Sequence, residues 1–526
     1  MWALLIEAGI LAGTYIYHRW IEDHPPTPLP PQIQIPRTAE GSPLPLVYGQ
    51  VRIKSPVVVW AGNYFAPDQP WTQVTTGTVF GATHYSVDIL FCLGVPFYAS
   101  AAASVSTPSG LRSAWAGDTP MRMNINSVAS GAAAQACYNG QDPPEPLQFS
   151  FTGVYYFGTW DQNVLDKSAA FGTTPRTIPD MTAALGGPAN GTLPDNVFYT
   201  SDPNDVTGTS FFAAAHQANA DAQIPGCRGQ IMLWAHVALG ESSSIPAFQF
   251  EVRATQNGSA ADLGNSFGFD EVGASVDADP ASVILDILTA PWGKVGLPMS
   301  QINVASFQAA SNKLFAEQHG YSRAFEQPAD ADSMIKDVLV QIDGGLYQEP
   351  TTGQLTLYLI RFDYDVDALD DVNPDNAEAG GSGWYTVQGW AEAPNQVRVT
   401  YLDRANSYTE TVAIAQDPSL IESNGGRIRS LSVRYEGCCT AGVASVLAAR
   451  ELAAVGRPMV KATVIVNRSF YNKRPGDVVT LTWPELGISR MVMRIAAIDF
   501  GLLRNGKIKL SLMRDVFDVK VGAFGG

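Results

Sequence analysis

Four groups of residues in this chain have types and spacings that chemistry could use. The first is Gly264-Asn265-Ser266-Phe267-Gly268, which fits the G-x-S-x-G pattern of a serine nucleophile. Such a serine needs an apolar strand just before it and a helix just after, so that a sharp turn exposes its oxygen. Residues 256–263 (QNGSAADL) are polar, so the pattern reads as a glycine-flexed loop. The second group is acidic: Asp363, Asp365, Asp367, Asp370 and Asp371. A calcium loop starting at Asp363 would need glycine at its sixth position and glutamate at its twelfth. Ala368 and Pro374 stand there instead, which favours a solvated acidic loop over a non-standard cation site. The third group is the 6 histidines, none in an H-x-x-x-H pair, so zinc-protease chemistry lacks its ligands. His84 and His236 fall on or beside expected strands and read as packed residues. The fourth group is Cys92, Cys137, Cys227, Cys438 and Cys439, which contain no C-x-x-C pair and read as buried thiols in a chain assembled in a reducing cytoplasm. These patterns assign no catalytic, cofactor-binding or metal-ligating residue, and the expectation is a protein that is not an enzyme.

The elements around these residues suggest a scaffold. A chain of 526 residues is too long for one core and implies two to four domains. Hydrophobic residues make up 46% and charged residues 16%, with 48 glycines and 35 prolines, as in a turn-rich β protein with surface to bury against other subunits. The formal charge of −17 opposes non-specific binding to nucleic acid and would suit a conduit through which DNA slides. Residues 2–17 are apolar except for Glu7, lack a basic leader region, and fall short of the roughly 20 residues that span a bilayer. They read as a helix buried in an assembly, with membrane contact as the alternative. The run Pro25–Pro31 is a stiff spacer.

Strands are expected at Leu44–Ile53 and Pro56–Trp60 around a turn, at Tyr85–Leu93, Gly229–Leu239 and Ala247–Ala254, with a polar loop over 255–278. Residues 100–224 are rich in small and turn-forming residues, with aromatic patches, and suggest an insertion with its own β-rich or loop-rich fold. Helices are expected after Asp279-Pro280 and over Asp330–Gly344, the second ended by Gly344-Gly345. Further strands are expected at Leu355–Arg361, Asn395–Leu402, Met459–Val466, Val478–Trp483, Met491–Ile498 and Lys507–Met513, with an Ala-rich helix over Val443–Val455.

Five segments, in this order, resemble the tail-hub, or baseplate-hub, proteins of long-tailed phages and gene transfer agents, a group that includes the hub region of the lambda-type tail-tip attachment protein. The first is Ala39-Glu40-Gly41-Ser42-Pro43-Leu44-Pro45-Leu46-Val47-Tyr48-Gly49-Gln50-Val51-Arg52, followed by VVVWAGN. Arg228–Val252 follows, with Ile245-Pro246 before FQFEV. Next come Ala281–Phe307, then Asn395–Tyr408 with Asp417-Pro418. Last is Pro475-Gly476-Asp477-Val478-Val479 with Thr482–Gly487. The similarity runs over about residues 35–100 and 225–518 and leaves the insertion unmatched. Glu40 and Glu251 lie in these segments, so scaffold duty accounts for them more simply than acid–base catalysis.

The resemblance implies a fold that is mainly β with a smaller α+β middle, a multi-domain hub with two tube-like β domains. Its parts would be 1–35, a hydrophobic segment and spacer; 36–100 plus 225–278, the first tube-like domain; 101–224, the insertion; 279–383, the α+β middle; and 384–526, the second tube-like domain with one helix. The implied role is a structural protein of a siphophage-type virion tail tip, closing the distal tube and supporting host attachment and genome ejection. Implied partners are two further copies in a homotrimer, the tail tube or distal tail protein, the tape-measure protein, other tip or fibre proteins, DNA in transit, and a host membrane touched through residues 2–17. No cofactor is implied. The alternative is a receptor- or glycan-binding adhesin, or a cell-wall hydrolase, carried by 101–224. Tyr155, Tyr156, Phe157 and Trp160 could supply a glycan platform there, but no catalytic pair is evident.

Overall fold

The computed structural model describes residues 43–65, 85–97, 110–117, 119–123, 133–137, 150–156, 165–166, 196–198, 230–240, 245–255, 261–269, 275–290, 294–389 and 393–515. It is mainly β, with several sheets and a smaller helical component. The chain divides into two compact units. Among the described residues, unit 1 takes Ile53–Val95 and Gly110–Val252, and unit 2 takes Pro45–Arg52, residues 96–97 and Arg253 onward. The segments at 2–17 and 25–31 lie outside the described residues.

Strand β1 (Leu46–Ile53) belongs to unit 2. Unit 1 begins with β2 (Val57–Phe65), β3 (Tyr85–Gly94), β4 (Gly110–Ala116), β5 (Thr119–Met123), β6 (Ala133–Cys137) and β7 (Ser150–Tyr156). A short pair, β8 (Leu165–Asp166) and β9 (Asn196–Phe198), precedes β10 (Ile231–Gly240) and β11 (Phe248–Ala254). The sheet order is β11-β4-β5-β6-β7-β10-β3-β2, with β10 antiparallel to both its neighbours. Strands β4–β7, from within 101–224, thus run in one sheet with β3 and β10. Val87 and the run Ile89–Leu93 are buried on β3, so this strand is covered on both faces. Phe91 packs on Phe248 and Phe250 at centroid distances of 5.6 and 5.2 Å. The strands expected on either side of the turn at 54–56 both form, but they do not pair with each other. β2 pairs with β3, while β1 pairs with a short strand at Arg323–Phe325.

Unit 2 has three apolar cores. The first gathers β12 (Phe267–Phe269), β13 (Ser275–Asp277), α1 (Pro280–Thr289), α2 (Val304–Ala316), β14 (Arg323–Phe325), α3 (Ala331–Ile342) and the hairpin β15 (Gly344–Gln348) and β16 (Leu355–Leu359). Asp279 caps α1 by accepting the Ala281 amide at 3.1 Å, and Pro280 occupies its first turn. Every residue from Pro280 to Leu288 is buried, as a helix apolar on all sides requires. Two expectations are corrected here. Residues 255–278 are not all loop, since β12 and β13 pair across them; the strands are only three residues each, too short for a readable alternation. The helix α3 is ended not by Gly344 but by Asp343, which takes the left-handed conformation at φ 48°, while Gly344 already belongs to β15. Aspartate tolerates that region better than most side chains, which is why the neighbouring glycines misled.

The second core fills the sheet β17-β24-β25-β26-β23-β18, with β19 also paired to β23. Its strands are β17 (Asp371–Val372), β18 (Ala377–Ala379), β19 (Tyr385–Val387), β23 (Val460–Asn467), β24 (Val478–Trp483), β25 (Ile488–Asp499) and β26 (Lys507–Arg514). The third lies between α5 (Ala441–Val455) and the sheet β21-β20-β22: β20 (Gln396–Asp403), β21 (Thr409–Gln416) and, after the short helix α4 (Pro418–Ser423), β22 (Ser430–Arg434). The sequence reading finds β20, α5 and β23–β26 and misses β21. In β21 the small residues Ala413 and Ala415 face the core, while Val412 and Ile414 point outward. Its inside and outside are therefore inverted relative to a hydropathy pattern.

Candidate functional site: the polar joints of unit 2

The residues that first suggested chemistry are dispersed. Gly264 and Gly268 both take positive φ, and the Asn265 amide donates to Ser311 and Asn312 at 2.8 and 2.9 Å. The chain then enters β12 rather than a helix, so Ser266 is not on a nucleophile elbow. The acidic cluster is divided among separate duties. Asp365 caps a 3-10 turn, Asp370 pairs with Lys473 at 2.5 Å, and Asp371 accepts the Thr480 and Thr482 hydroxyls at 2.8 Å. Asp367 lies 3.8 Å from Arg490. Among the described residues no three His, Cys, Asp or Glu are placed to hold a metal ion. Cys92, Cys438 and Cys439 are buried and in no disulfide. Burial pushes the Cys438 thiol up to about 12 and Cys439 in the same direction, which leaves both unreactive near neutrality. His236 lies in β10 and Glu251, buried, in β11; Tyr155 and Tyr156 lie in β7. Glu40, His84, Phe157, Trp160 and Cys227 lie outside the described residues.

What unit 2 does bring together are residues of the first, third and fourth of the five segments. Tyr48, from the first segment, donates its hydroxyl to Asp286 Oδ2 of α1 at 3.0 Å. Lys294 forms an ion pair with the same oxygen and lies 5.4 Å from the centre of the Tyr48 ring. The side chains of Lys294 and Asp286 are 2% and 0% exposed, so this ion pair is sealed from water. Burial, and then the Asp286 charge, raise the Tyr48 hydroxyl well above its ordinary pKa.

A second joint surrounds Gln50. Its backbone amide donates to Ser322 Oγ at 3.2 Å, and its side-chain oxygen accepts Arg253 Nε at 2.8 Å. Its carbonyl accepts the Tyr408 hydroxyl at 3.1 Å. Arg404 pairs with Asp277 and reaches Ser322 Oγ at 3.0 Å, while Ser322 donates to Asp277 at 2.7 Å. Arg52 Nη1 donates to the Ser407 carbonyl at 3.0 Å. Burial alone would lower the Arg404 pKa, but the Asp277 charge outweighs it and holds the guanidinium ionised. Gly49, at φ 70°, lets β1 approach this joint; a Cβ there would lie 2.1 Å from Ser322 Oγ. Sequence reasoning missed Asp277, Ser322 and Arg404 because their partners are far away in the chain. These joints hold no exposed nucleophile and no acid–base pair open to a substrate. Their groups are spent on fastening β1, α1, β14 and the loop after β20.

One cleft of about 380 Å³ opens elsewhere in unit 2, lined by Tyr347, Tyr358, Asp363, Tyr364, Lys473 and Arg494 among others. Gly476, at φ 94°, sits against Tyr358, where a Cβ would approach the ring to 2.4 Å. Thus the Pro475-Gly476-Asp477 turn, the last of the five segments, also serves as a close-packing contact.

These sheets and cores define a multi-domain, mainly β fold. Comparison with known proteins gives this class a context. Residues 330–498 match the family model Phage-tail_3, described as "Putative phage tail protein". The fold is similar to a chain of the virion of a native gene transfer agent particle, with a TM-score of 0.53 at 14% identity, covering 94% of this chain and 89% of that one. The tail protein of Neisseria meningitidis MC58 aligns at TM-score 0.32 and 13% identity over 53% of this chain and 76% of that one. The 43 kDa tail protein of prophage MuSo2 from Shewanella oneidensis aligns at 0.29 and 14% over 70% and 90%. No curated protein matches the sequence. The chain thus carries a phage-tail segment and shares its fold with a virion chain.

Proposed function

We propose that this chain is a structural virion protein, the hub of a tail tip or baseplate, which closes the distal tail tube and supports host attachment and genome ejection. The observation that carries this reading is the fate of the hub-like segments. Polar residues of the first, third and fourth segments meet as internal joints of unit 2, spent on fastening its elements. The tail-family match over 330–498 and the fold shared with a gene-transfer-agent virion chain support the same reading. In it, 36–100 with 225–278 and 384–526 form the two tube-like β domains, 279–383 the middle, 101–224 the insertion and 1–35 the N-terminal segment.

Three copies would present six tube-like domains to a hexameric tube. Each copy carries a formal charge of −17, so association must rest on apolar area and tolerate repulsion. Exposed Val59, Ile414, Ile428, Val446, Tyr471 and Leu502 are available for such burial. Partners in this reading are the tube or distal tail protein, the tape-measure protein and other tip or fibre proteins, with DNA passing through. The test is reconstruction of particles carrying a label on this chain. Three copies at the distal tip are expected. Six copies, one copy, or label along the shaft would overturn the reading.

A further inference from the structure

The cleft beside the Pro475-Gly476-Asp477 turn has the composition of a receptor for a cationic group. Three cations line it, and each is already matched by its own carboxylate. Lys473 pairs with Asp370 at 2.5 Å. Arg474 holds Glu349 with Nε and Nη2 at 2.9 and 2.7 Å. Arg494 holds Asp515 at 3.0 Å. Each cation is thus held by a carboxylate, and two further carboxylates, Asp363 and Asp477, line the cleft itself. Asp477 accepts the Arg474 amide at 2.8 Å. Asp363 is exposed at the cleft and has no hydrogen-bond or ion-pair partner among the described residues.

The walls are aromatic. Tyr347 and Tyr358 lie with ring centres 5.8 Å apart, inclined at 53°. Tyr364 already carries the guanidinium of Arg494 at 5.8 Å from its ring centre, so one wall is in use as a cation platform within the protein itself. A ring face attracts cations, and a carboxylate in the same half-enclosed space adds a directed charge. A volume of about 380 Å³ suits a single long side chain or a small amine. An anion would meet the unpaired Asp363 carboxylate and would have to share its cations with the carboxylates that already hold them.

We infer that this cleft binds an alkylguanidinium or alkylammonium group, with Asp363 as the anionic contact and Tyr347 and Tyr358 as the walls. The group would be an arginine or lysine side chain of a neighbouring protein, or a free polyamine. The inference does not depend on the tail-hub reading.

The experiment is calorimetric titration of the full chain with N-acetyl-arginine amide and, separately, with spermidine. N-acetyl-citrulline amide serves as the uncharged isostere and inorganic phosphate as the anion. Saturable binding of a cationic probe but not of citrulline or phosphate is expected. The tighter of the two cationic probes identifies the source. Asp363→Asn should weaken binding about tenfold, as loss of one partly desolvated charge contact does. Asp363 is exposed and makes no internal bond, so this variant should keep the parent's denaturation midpoint, to be checked alongside. No saturable binding of either cation, equal binding of citrulline, binding of phosphate, or an unchanged affinity in the folded Asp363→Asn protein would each overturn the inference.

Discussion

Substituting Lys294 by methionine should damage unit 2 out of proportion to its small change in volume. The side chain keeps its length and packing but loses its charge. Asp286, whose side chain is 0% exposed, would then be a buried carboxylate without its Lys294 counter-charge, the Tyr48 hydroxyl still donating to it. Breaking a buried ion pair from one side costs about 3–5 kcal/mol, most of it the penalty of the stranded charge. Neutralising both partners should recover most of that. In Asp286→Asn/Lys294→Met the amide oxygen can still accept from Tyr48, and the residual loss should be about 1 kcal/mol. Hydrogen exchange over Pro280–Thr289 is the direct assay, because these residues form the buried helix that carries Asp286. A loss of about 3 kcal/mol corresponds to exchange faster by roughly 100-fold. A single variant that exchanges within about fivefold of the parent would refute the sealed-charge argument, as would a double variant no better than the single.

Other consequences are testable on the same protein. Gly49→Ala places a methyl group against Ser322 in a left-handed backbone, and should cost about 2–4 kcal/mol in denaturant titration. Burial, and then the charges of Arg450 and Arg361, hold His319 down at about 4 against an ordinary 6.5. The unfolded chain therefore binds this proton first, so the contribution of His319 to stability is full above pH 6.5 and is lost as pH falls towards 4, amounting to about 3 kcal/mol at most. Urea midpoints measured at successive pH values should show that slope, and His319→Gln should flatten it. Gly476→Ala should displace Tyr358 and reduce binding of the cationic probe to the cleft, with calorimetry as the readout.

The sequence made the regular elements readable wherever an apolar period coincided with burial. Helix α1 announces itself through Asp279-Pro280 and Val283, Ile284, Ile287 and Leu288 at helical spacing, and β23 through buried Val460, Ala462, Val464 and Val466 in alternation. The failures have a common physical form. β21 turns alanines inward and larger residues outward, α3 ends on an aspartate, and β1 pairs with β14 rather than with its neighbour in sequence. In each case tertiary context overrode a local signal. The joints were legible only as similarity. Glu40 through Arg52 could be matched to tail hubs, but that Tyr48 meets Asp286, or Gln50 meets Arg404 and Tyr408, follows from no local rule. The tyrosine cleft was invisible for the same reason, since β15, β16, the loop after them and the turn before β24 supply one wall each.

The Gln50 joint also sets a schedule for the ribosome. The bond from Tyr408 to the Gln50 carbonyl spans 358 positions, and the Ile53–Val95 and Gly110–Val252 parts of unit 1 are encoded in between. At 5–20 residues per second, β1 emerges about 20–70 seconds before the residues that complete its joint. Until β14 is made, the β1 edge that pairs with it is bare, and the buried Val47, Val51 and Ile53 wait for their final cover. Unit 1, contiguous from Ile53 to Val252 apart from one excursion, can complete itself during the wait. A nascent chain arrested shortly before Asp286 and β14 emerge should therefore pair a protease-resistant unit 1 with a protease-sensitive β1. β1 is therefore the segment at which a delay in synthesis would first turn folding into aggregation.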